Sequence, residues 1–170
     1  MPPGSPNATV ADLLAAIRHG GAEGHEAALA LGLLMEDRPP NDDAGAAAAV
    51  GAELAARRLS GTERDTAVDG LITYLEETVE PHAMAVWALT KSYEPRAVPA
   101  LIALLEHCLN DPHTVHLAHQ ALVGIVTTGL TTIEYREQSL AALRRAAARG
   151  GAEVADTAQR YLRKLSRKEG

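Results

Sequence analysis

The chain has 170 residues, of which 46% are apolar and 22% charged, a composition typical of globular proteins and unlike that of disordered ones. Aromatic residues make up 3% and Phe is absent, so we expect a core of Leu, Ala, Val and Ile, which favours packed helices over sheets. The net charge of −6 argues against a nucleic-acid partner, and the single cysteine, Cys108, excludes an intrachain disulfide.

No segment of signal-peptide or membrane-spanning character is predicted. The N-terminal residues lack a basic segment followed by an apolar run, and the most apolar stretch, 44–56, is short and contains Glu53. We therefore predict a cytoplasmic protein with no membrane association. Arg outnumbers Lys by 13 to 3 and Ala is abundant, which indicates a high-GC bacterial genome.

Every segment longer than a turn has helical periodicity. The first predicted helix begins at Thr9, where Asp12 completes an N-cap, and ends at Gly20. A second helix is predicted over 23–36, followed by a break at Pro39 and Pro40. The third is predicted to run from Asp43 to near Leu59, and the fourth from Thr62 to Val79.

The later helices are marked by prolines and glycines. Each of three prolines, Pro81, Pro95 and Pro112, comes directly after an acidic residue and is predicted to open a helix. The eighth and ninth helices are predicted over 134–149 and 153–165, separated by Gly150 and Gly151.

An internal repeat relates the fourth and sixth predicted helices. Residues 67–77 align with residues 97–107 at six of eleven positions, which are Ala, Val, Leu, Ile, Leu and Glu. The alignment predicts that four residues of the fourth helix are buried, like their four counterparts in the sixth: Val68, Leu71, Ile72 and Leu75, and Val98, Leu101, Ile102 and Leu105. A unit of two helices over about 30–40 residues is typical of helical solenoids.

The segments 94–105 and 111–124 resemble the second and first helices of HEAT repeats. The resemblance implies an all-α fold, namely a short α-solenoid of about four antiparallel helix pairs plus a C-terminal capping helix. The whole chain, 1–170, is then one domain. It comprises a divergent first pair at 8–36, repeat pairs at 44–79, 82–109 and 112–149, and a capping helix at 152–166. Val115 stands where the family usually has Arg, and the loop 127–132 is longer than usual.

The resemblance also implies a concave groove lined by the fourth, sixth and eighth helices. The groove residues that we predict are Thr73, Glu77, Glu80, Arg96, Ala103, His107, Tyr135, Gln138 and Arg149. Extending the repeat spacing to the eighth helix adds Ala142 and Ala146 to a floor of small side chains. The polar walls change sign from Glu77 and Glu80 to Arg149, which would orient a ligand by charge.

Other chemistry-bearing residues are predicted to be structural. His113, His116 and His119 have a spacing that could hold a metal, but they lie opposite the buried stripe of Ala118 and Leu122, so no metal is expected. Cys108 points about 100° away from His107, so a packed thiol is expected instead of a nucleophile with its base. Trp87 is expected to seal the interface between repeat units. No catalytic residue or cofactor is assigned.

Three functions are compatible with these observations. The first is a non-catalytic module or scaffold that binds a protein or peptide in the concave groove, with a small-molecule ligand as a further option. The second is an enzyme or enzyme subunit, since the resemblance includes lyases that act on small molecules. The third is an immunity-type inhibitor that blocks one partner with its acidic N-terminal half.

Overall fold

The structure is a computed structural model that describes residue 5 and residues 7–36 and 57–168. All regular elements in this part of the chain are helical, so the predicted all-α class is confirmed there. The chain divides into two compact units, Met1–Tyr93 (unit 1) and Glu94–Gly170 (unit 2). The break at Pro39 and Pro40 and most of the predicted third helix lie outside the described residues.

Unit 1 contains four described helices. These are α1 (Val10–His19), α2 (Gly21–Met35), α3 (Gly61–Glu77) and α4 (Ala83–Lys91). Helix α2 packs against α1 and α4, and α3 packs against the same two helices. A positive φ of 81° at Gly20 allows the chain to turn sharply between α1 and α2.

The predicted start of α1 is confirmed at Thr9. The Thr9 hydroxyl oxygen accepts from the Asp12 backbone N–H at 3.1 Å, and the Asp12 carboxylate accepts from the Thr9 N–H at 2.9 Å. This reciprocal capping box satisfies two backbone donors that the helix cannot pair internally.

Two predicted helix ends in unit 1 are wrong. Residues 57–60 are not helical, and the Leu59 N–H donates to the Leu34 carbonyl at 2.9 Å. Helix α3 ends at Glu77, and Val79 is 73% exposed instead of joining the buried face. Thr78 adopts an extended conformation, and the β-branched pair Thr78 and Val79 followed by Pro81 disfavours another helical turn.

Unit 2 begins with a short 3₁₀ turn, Pro95–Ala97, followed by α5 (Val98–His107) and α6 (Val115–Gly124). A π-helix, Ile125–Gly129, continues α6, and a second 3₁₀ turn, Ile133–Tyr135, leads into α7 (Arg136–Arg149) and α8 (Ala152–Lys168). Helix α5 packs against α6, and α7 packs against α8. Contacts of α5 with α7 and of α6 with α8 join the two pairs.

Burial of the aligned positions largely follows the repeat. Val68, Leu71 and Leu75 are buried, and so are their counterparts Val98, Leu101 and Leu105. Ile72 and Ile102 are both half-buried, so full burial at these two positions is a wrong prediction. The two helices therefore present equivalent faces to the cores of their respective units.

The division of the chain into repeat pairs and their stacking into a solenoid stay predictions, as does the cytoplasmic location. Within the described ranges, no helix has both the length and the apolar character needed to cross a membrane. Helix α8 extends to Lys168, two residues beyond the predicted capping helix.

Candidate functional site

The predicted groove residues are distributed over both units. Thr73, Glu77 and Glu80 belong to unit 1, whereas the other six belong to unit 2: Arg96, Ala103, His107, Tyr135, Gln138 and Arg149. Most of these side chains are exposed, while Thr73, Arg96 and Tyr135 are half-buried. A single groove that includes all nine stays a prediction.

Glu94 brings two of the predicted residues into one electrostatic environment in unit 2. The Arg96 guanidinium lies 3.7 Å from the Glu94 carboxylate. Partial burial raises the pKa of Tyr135, and the carboxylates of Glu134 and Glu94 raise it further. Tyr135 is therefore a neutral hydrogen-bonding group at physiological pH, and Arg96 already has an acidic neighbour.

The predicted groove floor is wrong at two positions of α7. Ala142 and Ala146 are fully buried instead of forming the groove floor, because they belong to the buried stripe of α7 with Ser139 and Leu143. Arg145 forms an ion pair with α5, in which its Nε lies 2.6 Å from the Glu106 carboxylate. Neither residue of this pair was selected from the sequence.

His113, His116 and Cys108 occupy the predicted environments, whereas His119 does not lie on the exposed face where it was predicted. His113 and His116 are exposed, and Cys108 is fully buried. His119 is half-buried, and its Nε2 lies 3.4 Å from the Thr157 hydroxyl on α8. No three potential metal ligands of the His, Cys, Asp or Glu type cluster in the part of the chain that the structure describes.

An open groove in unit 2 is the candidate site that emerges from the structure. Its volume is about 290 Å³. Four leucines form its apolar floor: Leu130, Leu140, Leu162 and Leu165. Arg136 and Arg144 of α7 and Ser166 of α8 complete its lining. We call this feature the α7–α8 groove.

The groove forms where the packing of α8 against its neighbours becomes incomplete. Only Gly150 and Gly151 separate α7 from α8, so the two helices run antiparallel and the last turns of α8 lie beside the first turns of α7. Val154 and Ala158, in the first half of α8, are fully buried. Leu162 and Leu165 continue the same apolar stripe but are only half-buried. The apolar face of α8 is therefore longer than the surface that covers it.

The π-helix positions Leu130 at the groove. The Leu130 N–H donates to the Ile125 carbonyl at 3.0 Å, an i→i−5 bond that includes one more residue than an α-helical turn. Gly129 packs so closely that a Cβ built on it would overlap the Ser139 hydroxyl and lie 3.1 Å from a Val98 methyl group. Contact with both α5 and α7 thus fixes the chain just before Leu130.

The groove has a basic rim. Arg136 and Arg144 are eight residues apart on α7, which places them about 12 Å apart along the helix axis, with Leu140 between them. Arg163 is exposed on α8, one turn before Ser166. From Arg160 to Arg167, α8 has four basic residues and no acidic residue.

One highly exposed apolar residue lies close in sequence to residues that line the groove. Ile133 is 94% exposed and lies three residues from both Leu130 and Arg136.

The lining of the groove is suited to binding and offers no means of acid–base or nucleophilic chemistry. The described residues that line it include no carboxylate, imidazole or thiol. Its single hydroxyl, that of Ser166, donates to the Leu162 carbonyl at 3.1 Å. Without a base beside that hydroxyl, it is not activated as a nucleophile.

Part of this site was visible in the sequence. The basic residues of α8 and the spacing of Ala158 and Leu162 are evident there, but the groove also depends on Leu130, which lies in the loop where repeat spacing fails.

Comparisons of the chain with protein-family models, with curated proteins and with solved structures found no match.

Proposed function

We propose that this protein is a non-catalytic, HEAT-like helical-repeat module that binds a protein or peptide partner through the α7–α8 groove. The observation that carries the proposal is the apolar stripe of α8. It is fully buried at Val154 and Ala158 and is left half-covered at Leu162 and Leu165, where the groove opens.

The groove suits side chains of a macromolecule better than a whole small molecule. Its volume of about 290 Å³ is at the lower end of the range of roughly 300–1,000 Å³ found for small-molecule pockets. It corresponds to the volume of about ten water molecules, so it holds two or three leucine-sized side chains. A few apolar anchors in a groove surrounded by polar groups are typical of protein recognition.

The charge pattern of the predicted concave strip is compatible with the same function. Glu77 in unit 1 and His107 and Arg149 in unit 2 are exposed, so they are available to a partner. The α7–α8 groove is nevertheless the better-supported contact surface, because its apolar floor supplies the area that drives association.

Selection of peptides from a displayed library against the immobilised protein tests the proposal. We expect selected peptides to bind with micromolar dissociation constants, measured by fluorescence anisotropy, and to compete with one another for one site. Leu165→Glu should weaken binding about tenfold or more, because it places a carboxylate in the apolar floor.

Gln159→Glu is the matched control, since it makes the same change in charge at an exposed position of the same helix. Peptides that bind both variants equally well would place the contact surface elsewhere. A library that yields no competing peptides would argue against a peptide-binding function.

A further inference from the structure

We infer that the ligand of the α7–α8 groove is an amphipathic helix with acidic flanks. The inference rests on the proposed binding function and specifies the partner's secondary structure and charge. It is carried by three features of unit 2: a groove between two antiparallel helices, a floor made of leucines, and arginines along its edges.

The shape of the groove favours a helical ligand. Leu140 on α7 and Leu162 and Leu165 on α8 line the groove, so its apolar floor is shared by two adjacent helices. A third helix laid into such a groove completes a three-helix arrangement, with axes about 8–10 Å apart and apolar side chains at positions i, i+3 or i+4, and i+7. The space for two or three leucine-sized side chains corresponds to two or three such anchors.

The arginines favour acidic flanks on that helix. The guanidinium groups of Arg136 and Arg144 border the floor on the α7 side. Carboxylates seven or eight residues apart on one face of a helix are about 11–12 Å apart, which matches the separation of Arg136 and Arg144 along α7. Arginine pairs with carboxylates through two parallel hydrogen bonds, so it favours a carboxylate by its geometry as well as by its charge.

Arg144 and its neighbour Arg145 on α7 have different surroundings. Arg145 is engaged with Glu106 of α5 at 2.6 Å, whereas the exposed Arg144 lines the groove. Glu137, the acidic residue next to Arg136, is exposed and does not line the groove. The described residues that line the groove thus include two arginines and no carboxylate.

A nucleic acid fits the same surface poorly. Single strands bind where aromatic side chains stack on their bases, and the floor here consists of four leucines. Leucines instead match the aliphatic side chains of a protein helix.

A pair of synthetic peptides tests the inference. Both carry the same leucine stripe and a fluorescent label, but one has glutamates on its flanks and the other has lysines. Fluorescence anisotropy with the full chain should show the acidic peptide binding at least about tenfold more tightly at low salt. The difference should decrease at high salt, since screening weakens exposed ion pairs.

Charge reversal at the rim provides a matched comparison. Arg144→Glu should lower affinity for the acidic peptide about tenfold and raise affinity for the basic one. Arg18→Glu makes the same change at an exposed position of α1 that does not line the groove, and it should leave both affinities within about twofold. Equal losses in the two variants would overturn the assignment of the acidic flanks to the groove.

The remaining outcomes separate the inference from the proposed function. If both peptides bind equally well and Leu165→Glu weakens both, the groove binds helices without regard to charge; the inference fails and the proposed function stands. If neither peptide nor any library-selected peptide binds, both fail. If the chain alone sediments as a dimer that Leu165→Glu dissociates, the occupant is a second copy and the acidic-helix inference is wrong.

Discussion

The ammonium group of Lys91 on α4 lies 3.3 Å from the carboxylate of Glu36, the residue that follows α2. The Glu36 side chain is 3% exposed, and that of Lys91 is 18% exposed. The same ammonium group lies 5.3 Å from the centre of the Trp87 ring, within the distance at which a cation is attracted to an aromatic face. This ion pair joins the ends of the two helices that form the centre of unit 1.

Removal of one partner of this pair should be strongly destabilising. We expect Lys91→Met to lower the free energy of unfolding by roughly 3 kcal/mol, because it leaves the Glu36 carboxylate buried without its counter-ion. Urea denaturation followed by circular dichroism measures the change. The double variant Glu36→Leu, Lys91→Met removes both charges and should recover much of the loss; if it is less stable than Lys91→Met alone, the ion pair is not the cause.

The capping box should make the stability of helix α1 depend on pH. The Thr9 hydroxyl and then the Thr9 backbone N–H hold the pKa of the Asp12 carboxyl below its ordinary value of 3.8. Because the folded pKa is lower than the unfolded one, the cap contributes fully above a pH of about 4 and is lost as pH falls through the folded pKa.

NMR titration of the Asp12 carboxyl carbon checks this expectation. Thr9→Ala should return the pKa of Asp12 towards its ordinary value, because it removes the hydroxyl that stabilises the ionised form. Thr9→Ser keeps that hydroxyl and should keep the pKa low. A carboxyl that titrates alike in all three proteins would show that the cap does not form in solution.

The contact between Gly129 and Ser139 should make the π-helix intolerant of larger side chains. We expect Gly129→Ala to destabilise by roughly 1–3 kcal/mol, because its methyl group would overlap the Ser139 hydroxyl. Thermal unfolding measures the effect. Ser139→Ala should partly rescue Gly129→Ala by removing the overlapping oxygen.

Ser139→Ala alone should be neutral or slightly stabilising. Its hydroxyl is buried and has no hydrogen-bond partner among the described residues, so its removal eliminates a desolvated polar group at no cost in hydrogen bonds. A large loss of stability in this variant would reveal a partner for the hydroxyl, such as a buried water.

Substitutions at the repeated core positions should lower stability much more than substitutions at their exposed neighbours. Leu101→Ala should lower the free energy of unfolding by roughly 2–5 kcal/mol, because it leaves a cavity at a residue that is 1% exposed. Ala103→Ser, two residues later at an exposed position, should change stability by less than about 0.5 kcal/mol. Similar effects of the two substitutions would contradict the assignment of the buried face of α5.

The sequence predicts the helices of this chain better than it predicts the candidate site. Two features depend on neighbours within a few residues, so spacing along the chain reveals them. They are the capping box at Thr9 and Asp12 and the buried face shared by α3 and α5. Val79 was assigned to a helix because the apolar spacing continues, but the extended backbone at Thr78 ends α3 earlier.

The register of α7 and the groove could not be obtained in this way. Extending the repeat spacing across residues 127–132 assumes that α7 keeps the register of α5, and the buried residues of α7 show that it does not. Ala142 and Ala146 were consequently placed on the exposed face although both are buried. The groove itself exists because α8 has more apolar surface than its neighbours cover, and this mismatch appears only when the helices are packed together.

The close packing of Trp87 over Gly32, where an added Cβ would overlap the indole ring, also determines what fluorescence can report. Trp87 is the single tryptophan of the chain, and it lies in unit 1. Its emission therefore follows the separation of α2 from α4, whereas far-ultraviolet circular dichroism averages the helices of both units. Denaturation curves from the two signals would diverge if the units unfold in separate steps and coincide if they unfold together. Tryptophan fluorescence thus reports on unit 1 alone, because unit 2 contains no tryptophan.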